Sequence, residues 1–209
     1  MYRELRFHKR KIMIVISNPT EITNEINIIN SLFEEGMEWF HVRKPNYSKE
    51  ELRLFLSKIN LSYYSKLVLH QHHDLANEFQ IKRLHFTEKK RLEAPSDYSK
   101  PSWCESLSTS VHSIVAFNGL PNAFDYAFLS PIYPSISKEK YVPTKNAFEA
   151  IKKRTNHYTK LMALGGISVE NIEEVLTNGF DDFALLGTLW NTEKTIENFK
   201  KCQQIAHSS

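Results

Sequence analysis

Cysteine is almost missing from this chain. Cys104 and Cys202 lie far apart and without the spacing of a metal site. A disulfide framework is therefore excluded as the source of stability, and a reduced, cytoplasmic setting is the simplest expectation. Long apolar runs are absent as well. The longest uncharged stretch, at 107–121, is broken by Ser, His and Gly, so no membrane span is expected. The opening MYRELRFHKRKIMIVI mixes charges into its apolar residues and lacks a small-residue cleavage site, so no secretion signal is expected. Excess charge is missing too: a formal net charge of +3, spread along the chain, argues against nucleic acid or an anionic membrane as partner. No Pro/Ser-rich linker, composition shift or obvious repeat divides the sequence. With 41% hydrophobic and 24% charged residues, a single soluble domain over residues 1–209 is expected.

What the sequence does have is a rhythm. Short apolar runs at 12–16, 39–42, 66–69, 82–86, 107–111, 126–129, 161–164 and 183–186 give eight candidate strands. Amphipathic helix candidates lie at 22–35, 49–63, 74–79, 147–154, 169–177 and 195–205. The stretch 88–106, carrying Pro95 and Pro101, predicts a loop with at most a short helix, and 118–122 is irregular around Gly119 and Pro121. Strands alternating with helices imply a parallel sheet. Eight units in this length predict a compact (β/α)8 TIM barrel. The rival open sheet wants a glycine-rich turn after its first strand, whereas Ser17-Asn18-Pro19-Thr20 holds no glycine.

The segment LMALGGISVENIEEVLTNGFDDFALLGTLW is the most informative. A strand stops at Gly165-Gly166, a helix follows, and a second strand stops at Gly187 beside Thr188. Bare backbone N–H groups at such turns, next to helix N-termini, suit a phosphate. The same glycines also serve plain capping and close packing. In a barrel the chemistry sits at the C-terminal strand ends. Those ends carry His41-Val42-Arg43-Lys44, His70-Gln71-His72, His85 and Ser110-Val111-His112. Alternation puts His41 with Arg43, and Ser110 with His112, on one face. If those faces point inward, His41, His70, His85, His112 and Arg43 converge on one mouth, which suits acid–base work. The sixth strand then runs into Ser130-Pro131-Ile132-Tyr133-Pro134-Ser135-Ile136-Ser137-Lys138, a stiff loop with hydroxyl donors and a lysine for phosphate.

In order and nearly end to end, these pieces resemble the thiamine phosphate synthase/TenI family of (β/α)8 barrels. The matching segments are HVRK at 41–44, Asp74-Leu75-Ala76, LH at 84–85, TSVHS at 109–113, DYAFLSPIYPSISK at 125–138, ALGGIS at 163–168 and ALLGTLW at 184–190. Synthases of this family join a thiazole phosphate to a pyrimidine diphosphate and expel magnesium-bound pyrophosphate. By resemblance, Gly165, Gly166 and Gly187 would hold the thiazole phosphate. Arg43 and Lys138 would match basic residues facing the pyrophosphate, and Ser110 and Ser135 would match polar contacts near the substrates.

The departures from that pattern are as informative. His41 stands where synthases usually place glutamine, and Pro45 where they place a second lysine. His70-Gln71 replaces Asn-Asp, whose aspartate binds magnesium. Phe86-Thr87-Glu88-Lys89-Lys90 follows the strand-four histidine with no clear aspartate. Magnesium wants hard oxygen ligands, and Gln71 offers only a neutral one. The TenI branch also carries a histidine at the first position of the strand-two motif. Its members resembling this chain isomerise a thiazole carboxylate phosphate by proton transfer, with a strand-five histidine as base. That histidine corresponds to His112. The resemblance thus implies a thiazole-phosphate enzyme, with His41 and His70 among its substrate contacts. Tautomerisation, which needs no cofactor, stands slightly ahead of magnesium-dependent synthesis. A non-catalytic phosphate-binding paralogue and transition-metal ligation by the histidines stay open, although the histidines show no ligand spacing. A homo-oligomer is compatible with all of these readings.

Overall fold

The computed structural model of the protein describes residues 12–94, 99–134 and 147–208. Eight parallel strands close into a barrel in chain order: β1 (Met13–Ile16), β2 (Trp39–Val42), β3 (Leu67–Leu69), β4 (Arg83–Phe86), β5 (Ser106–Val111), β6 (Tyr126–Leu129), β7 (Lys160–Ala163) and β8 (Asp182–Leu185). Closure comes from β1 pairing with β8, Met13 opposite Phe183 and Val15 opposite Leu185. The expected (β/α)8 barrel is therefore the fold, and every apolar run became a strand. The third strand starts one residue late because Lys66 ends a 3-10 turn, Leu61–Lys66.

Strands buried on both faces are apolar at nearly every position. Alternation sorts these residues into two layers. Ile14, Ile16, Tyr126, Phe128, Met162 and Ala184 fill the inside of the barrel. Val15, Phe40, Val42, Leu69, Ala127 and Leu185 face outward to the helices. Each fully buried Ile or Phe of this kind contributes about 1.5–3 kcal/mol over an exposed one.

The helices are α1 (Glu25–Glu34), α2 (Lys49–Ser57), α3 (Leu75–Glu78), α4 (Glu88–Glu93), α5 (Ile114–Asn118), α6 (Ala147–Ile151), α7 (Ile172–Thr177), α8 (Gly187–Trp190) and α9 (Thr195–Ser208). Most are shorter than their apolar patterns suggest. The first begins only at Glu25 because Asn24 takes a left-handed conformation, φ 61. The second starts at Ser48, whose side chain and that of Glu51 cap each other's backbone, and stops before the 3-10 turn. Two helices have no counterpart in the sequence reading, α5 and α8, of five and four residues. Such short pieces show too little periodicity to register. The loop expected at 88–106 opens with α4, whose first turn is capped by the Thr87 hydroxyl.

Candidate active site

A cavity of about 650 Å³ opens at the C-terminal ends of the strands. It is lined by Arg43, His70, Ser110 and His112 on one side and by Gly165, Gly166, Gly187 and Thr188 on the other. The strand phase explains this: Ile14, Tyr126 and Phe128 fill the barrel interior, and His41 and Arg43 share that phase on their own strand.

At the glycine side, Gly165 and Gly166 adopt φ of +98° and +67°. The loop after β6 crosses directly over them, with Tyr133 N–H donating to the Gly165 carbonyl at 3.1 Å. A Cβ on Gly166 would lie 2.6 Å from Tyr133 Cβ and 2.7 Å from the Pro134 oxygen. Packing alone thus demands glycine here, whatever else the turn does. The Thr188 hydroxyl donates to the Ile167 carbonyl and is already engaged. Ser135 and Lys138 lie outside the described residues.

Arg43 is a cation of the opposite side, where Lys89 also lines the cavity. Its backbone is fixed by Ser17, whose Oγ accepts from Arg43 N–H at 2.8 Å and donates to the Arg43 carbonyl at 3.0 Å. Burial lowers the guanidinium's pKa from its ordinary value, yet arginine stays charged near neutrality. No ion pair claims it among the described residues. Its neighbour Lys44 faces away and is fully buried, with Nζ 2.5 Å from Glu25 Oε2 and 2.9 Å from the Thr20 carbonyl.

The four histidines do not form one group. Three of them do: ring nitrogens of His41, His70 and His85 all lie within 4.8 Å of one another, despite coming from three strand ends. His41 Nδ1 is 2.9 Å from His70 Nε2, and the rings of His70 and His85 stack with centroids 4.0 Å apart. His70 and His85 line the cavity, whereas His41 lies below it. Burial pushes the pKa values of His41 and His70 well below 6.5 and that of His85 down to about 3. All three are neutral at physiological pH. Stacked rings do not aim their in-plane lone pairs at a common point, and His41 spends both nitrogens on hydrogen bonds. The trio is thus organised as a hydrogen-bonded cluster.

His112 stands apart at the rim, its side chain 46% exposed. Its Nδ1–H donates to the Ser130 carbonyl at 2.7 Å, and its Nε2 lies 3.6 Å from Glu88 Oε2. Glu88 is the only carboxylate among the described lining residues. Gln71, which stands at the magnesium-aspartate position of the family pattern, donates its side-chain amide to the Lys44 carbonyl and does not face the cavity. Two participants escaped the sequence reading. Tyr126 places its hydroxyl 2.8 Å from His41 Nε2, and Ser108 places Oγ 2.9 Å from His85 Nδ1. Strand alternation was the available signal, since both share the inward phase of Phe128 and Ser110.

The model of a family described as thiamine monophosphate synthase matches residues 13–189. The chain belongs to the thiamine monophosphate synthase/TenI family. Among curated members, it is 26% identical over 185 residues to the thiamine-phosphate synthase of Dictyoglomus thermophilum, covering 86% of this chain and 82% of that protein. The thiamine-phosphate synthase of Staphylococcus haemolyticus is 23% identical over 189 residues, covering 83% and 86%. Among solved structures, a thiamine phosphate pyrophosphorylase from Bacteroides thetaiotaomicron superposes with a TM-score of 0.73. It is 31% identical, over 94% of this chain and 97% of that one. The family assignment places the chain in thiamine biosynthesis. No helix among the described residues is long and apolar enough to cross a membrane.

Proposed function

We propose that this family member joins a thiazole phosphate to hydroxymethylpyrimidine diphosphate, releasing pyrophosphate and forming thiamine phosphate. The observation that carries the reading is the lining of the cavity, which sets the glycine turns at Gly165, Gly166 and Gly187 together with Arg43 and the carboxylate of Glu88, suited to one anion at the turns and a second, metal-bound one at Arg43. The relatives' names point the same way, each a thiamine-phosphate synthase or pyrophosphorylase. The preference for tautomerisation, drawn from the missing aspartates, gains no support from them.

In this reading the backbone N–H groups at Gly165, Gly166 and Gly187 hold the thiazole phosphate, a task for which exposed turn amides are suited. Thr188 contributes its backbone rather than its engaged hydroxyl. Arg43 faces the diphosphate with a planar fork of donors and leaves the opposite side of the cavity for the thiazole. Magnesium takes one or two protein carboxylates plus substrate phosphate oxygens, and Glu88 meets that minimum. Bound there, the ion would neutralise the departing pyrophosphate. Ser110, His70 and Phe128 also line the cavity. The deciding assay is thiamine phosphate formation from both substrates with and without magnesium. Magnesium-dependent product is expected. No product under saturating substrates, alongside conversion of a thiazole carboxylate phosphate to its tautomer, would overturn the proposal.

One observation favours that second reading, proton transfer within a single bound thiazole phosphate. His112 anchors Nδ1–H on a backbone carbonyl and so fixes its ring with Nε2 turned toward Glu88 at the cavity rim. Its test is His112→Ala, which should abolish tautomerisation; unchanged turnover removes His112 from the mechanism. A silent paralogue would bind either substrate set and turn over neither.

A further inference from the structure

We propose that Asn171 and the Thr188 hydroxyl are positioning residues for the anion end of the cavity: they join the two glycine turns into one cradle whose backbone amides are open and whose carbonyls are engaged. The proposal rests on the reading of these turns as a phosphate site, whichever of the two reactions follows.

The carbonyls of the first turn are all taken. Leu164 C=O accepts from Ile132 N–H and Gly165 C=O from Tyr133 N–H, both at 3.1 Å. Gly166 C=O accepts from Asn171 Nδ2 at 2.9 Å, and Ile167 C=O accepts from the Thr188 hydroxyl. At the second turn Gly187 C=O accepts from Asn191 N–H at 3.1 Å, and Thr188 C=O from Asn198 Nδ2 at 3.2 Å. The amides show the reverse. Among the described residues, the N–H groups of Gly165, Gly166, Ile167 and Gly187 meet no acceptor. All four residues are buried or half-buried and line the cavity. Backbone donors in such places are rarely left without a partner. Several of them on one cavity wall call for a guest rich in acceptors.

Asn171 suits its place because an amide side chain gives and takes at once. Its Nδ2 holds the Gly166 carbonyl while its Oδ1 accepts from Ser168 N–H at 3.0 Å, so one side chain braces the turn on both sides of Ile167. Thr188 acts across the gap, standing on the second turn and donating to the first. Loss of either group releases a carbonyl, with its partial negative charge, beside the oxygens of a bound anion. It also frees the turn to rotate its amides away. The group that fits open donors and engaged acceptors is an oxyanion with no proton to give, the doubly ionised terminus of a phosphate monoester or a sulfate.

The test follows the amide shifts of Gly165, Gly166 and Gly187 in titrations with methyl phosphate and, separately, with sulfate. Both anions should move them in the wild type. Thr188→Val keeps the side-chain shape without the hydroxyl, and Asn171→Ala removes the amide. Each should weaken both anions on the order of tenfold, whereas Thr188→Ser should bind as the wild type does. In turnover, KM for the thiazole phosphate should rise by a similar factor while kcat holds, a split that general loosening of the barrel would not produce. The two ties brace one turn, so the double variant should lose less than the product of the single losses. Amides that respond to neither anion in the wild type would overturn the phosphate reading itself. Amides that respond, with affinity unchanged in Thr188→Val and Asn171→Ala, would overturn the positioning role alone. So would a Thr188→Ser variant as weak as Thr188→Val.

Discussion

At the scale of single residues, adjacent Arg43 and Lys44 leave the same strand on opposite sides of the barrel wall. Arg43 lines the cavity, whereas Lys44 is spent on Glu25 and the Thr20 carbonyl. Only one of the two cations in the sequence HVRK is therefore available to an anionic substrate. Arg43→Ala should raise KM for the pyrimidine diphosphate about tenfold or more, the cost of a lost charge-assisted hydrogen bond. Thiazole phosphate affinity should hold, because its proposed site lies across the cavity; calorimetry with each substrate separately checks this. A second test belongs to Gly166. An added methyl group would run into Tyr133 and the Pro134 carbonyl, and φ of +67° is disfavoured for alanine. Gly166→Ala should push the β6 loop off the glycine turn and weaken thiazole phosphate binding by about tenfold. Full affinity in this variant would show that the turn is needed for packing alone.

At the scale of elements, the Glu25–Lys44 pair ties the first turn of α1 to the end of β2. Burial pushes the Glu25 carboxyl up and the Lys44 ammonium down, against the mutual attraction of the pair. Desolvation thus outweighs attraction, and the tie is held at a cost. Glu25→Ala strands a buried ammonium between Tyr47 and Phe55. It should lower unfolding free energy by about 3–5 kcal/mol, read from urea titration. Glu25→Leu with Lys44→Met should recover most of that loss. The pairing was not legible in the sequence, because the residues sit on different elements and neither shows a motif. Helix α1 was legible as a pattern, but Asn24 moved its start into the chain by three residues from the expected position 22. Helices α5 and α8 were not, since five or four residues carry barely one turn of periodicity.

At the scale of the molecule, the barrel was legible because its strands are buried on both faces and read as eight apolar runs. The phase of those runs also placed Arg43, Ser110 and His112 correctly on the inward side. Phase says nothing about depth along the barrel axis, which depends on strand stagger. That is why His41, two residues before Arg43, lies under the cavity, and why His112, two residues after Ser110, reaches the rim. Depth has a consequence for the whole fold. Burial lowers His41 and His70 well below 6.5, His85 to about 3 and His73 to about 4. A histidine whose folded pKa is depressed stabilises the fold fully above its unfolded value, and the stability is lost as pH falls from there toward the folded value. His85 alone should cost about 2 kcal/mol of stability by pH 5. Carboxylates with lowered pKa, such as Glu51 and Asp74, are lowered from 4.5 and 3.8 and act at more acidic pH. Glu25, pushed up by burial, gains stability as pH falls, so the loss between pH 6.5 and 5 belongs to the histidines. The urea midpoint should be flat above pH 7 and fall steeply through that interval, and His85→Gln should shallow the fall. A midpoint constant from pH 7 to 5 would mean that these four rings are not held in the fold as neutral groups.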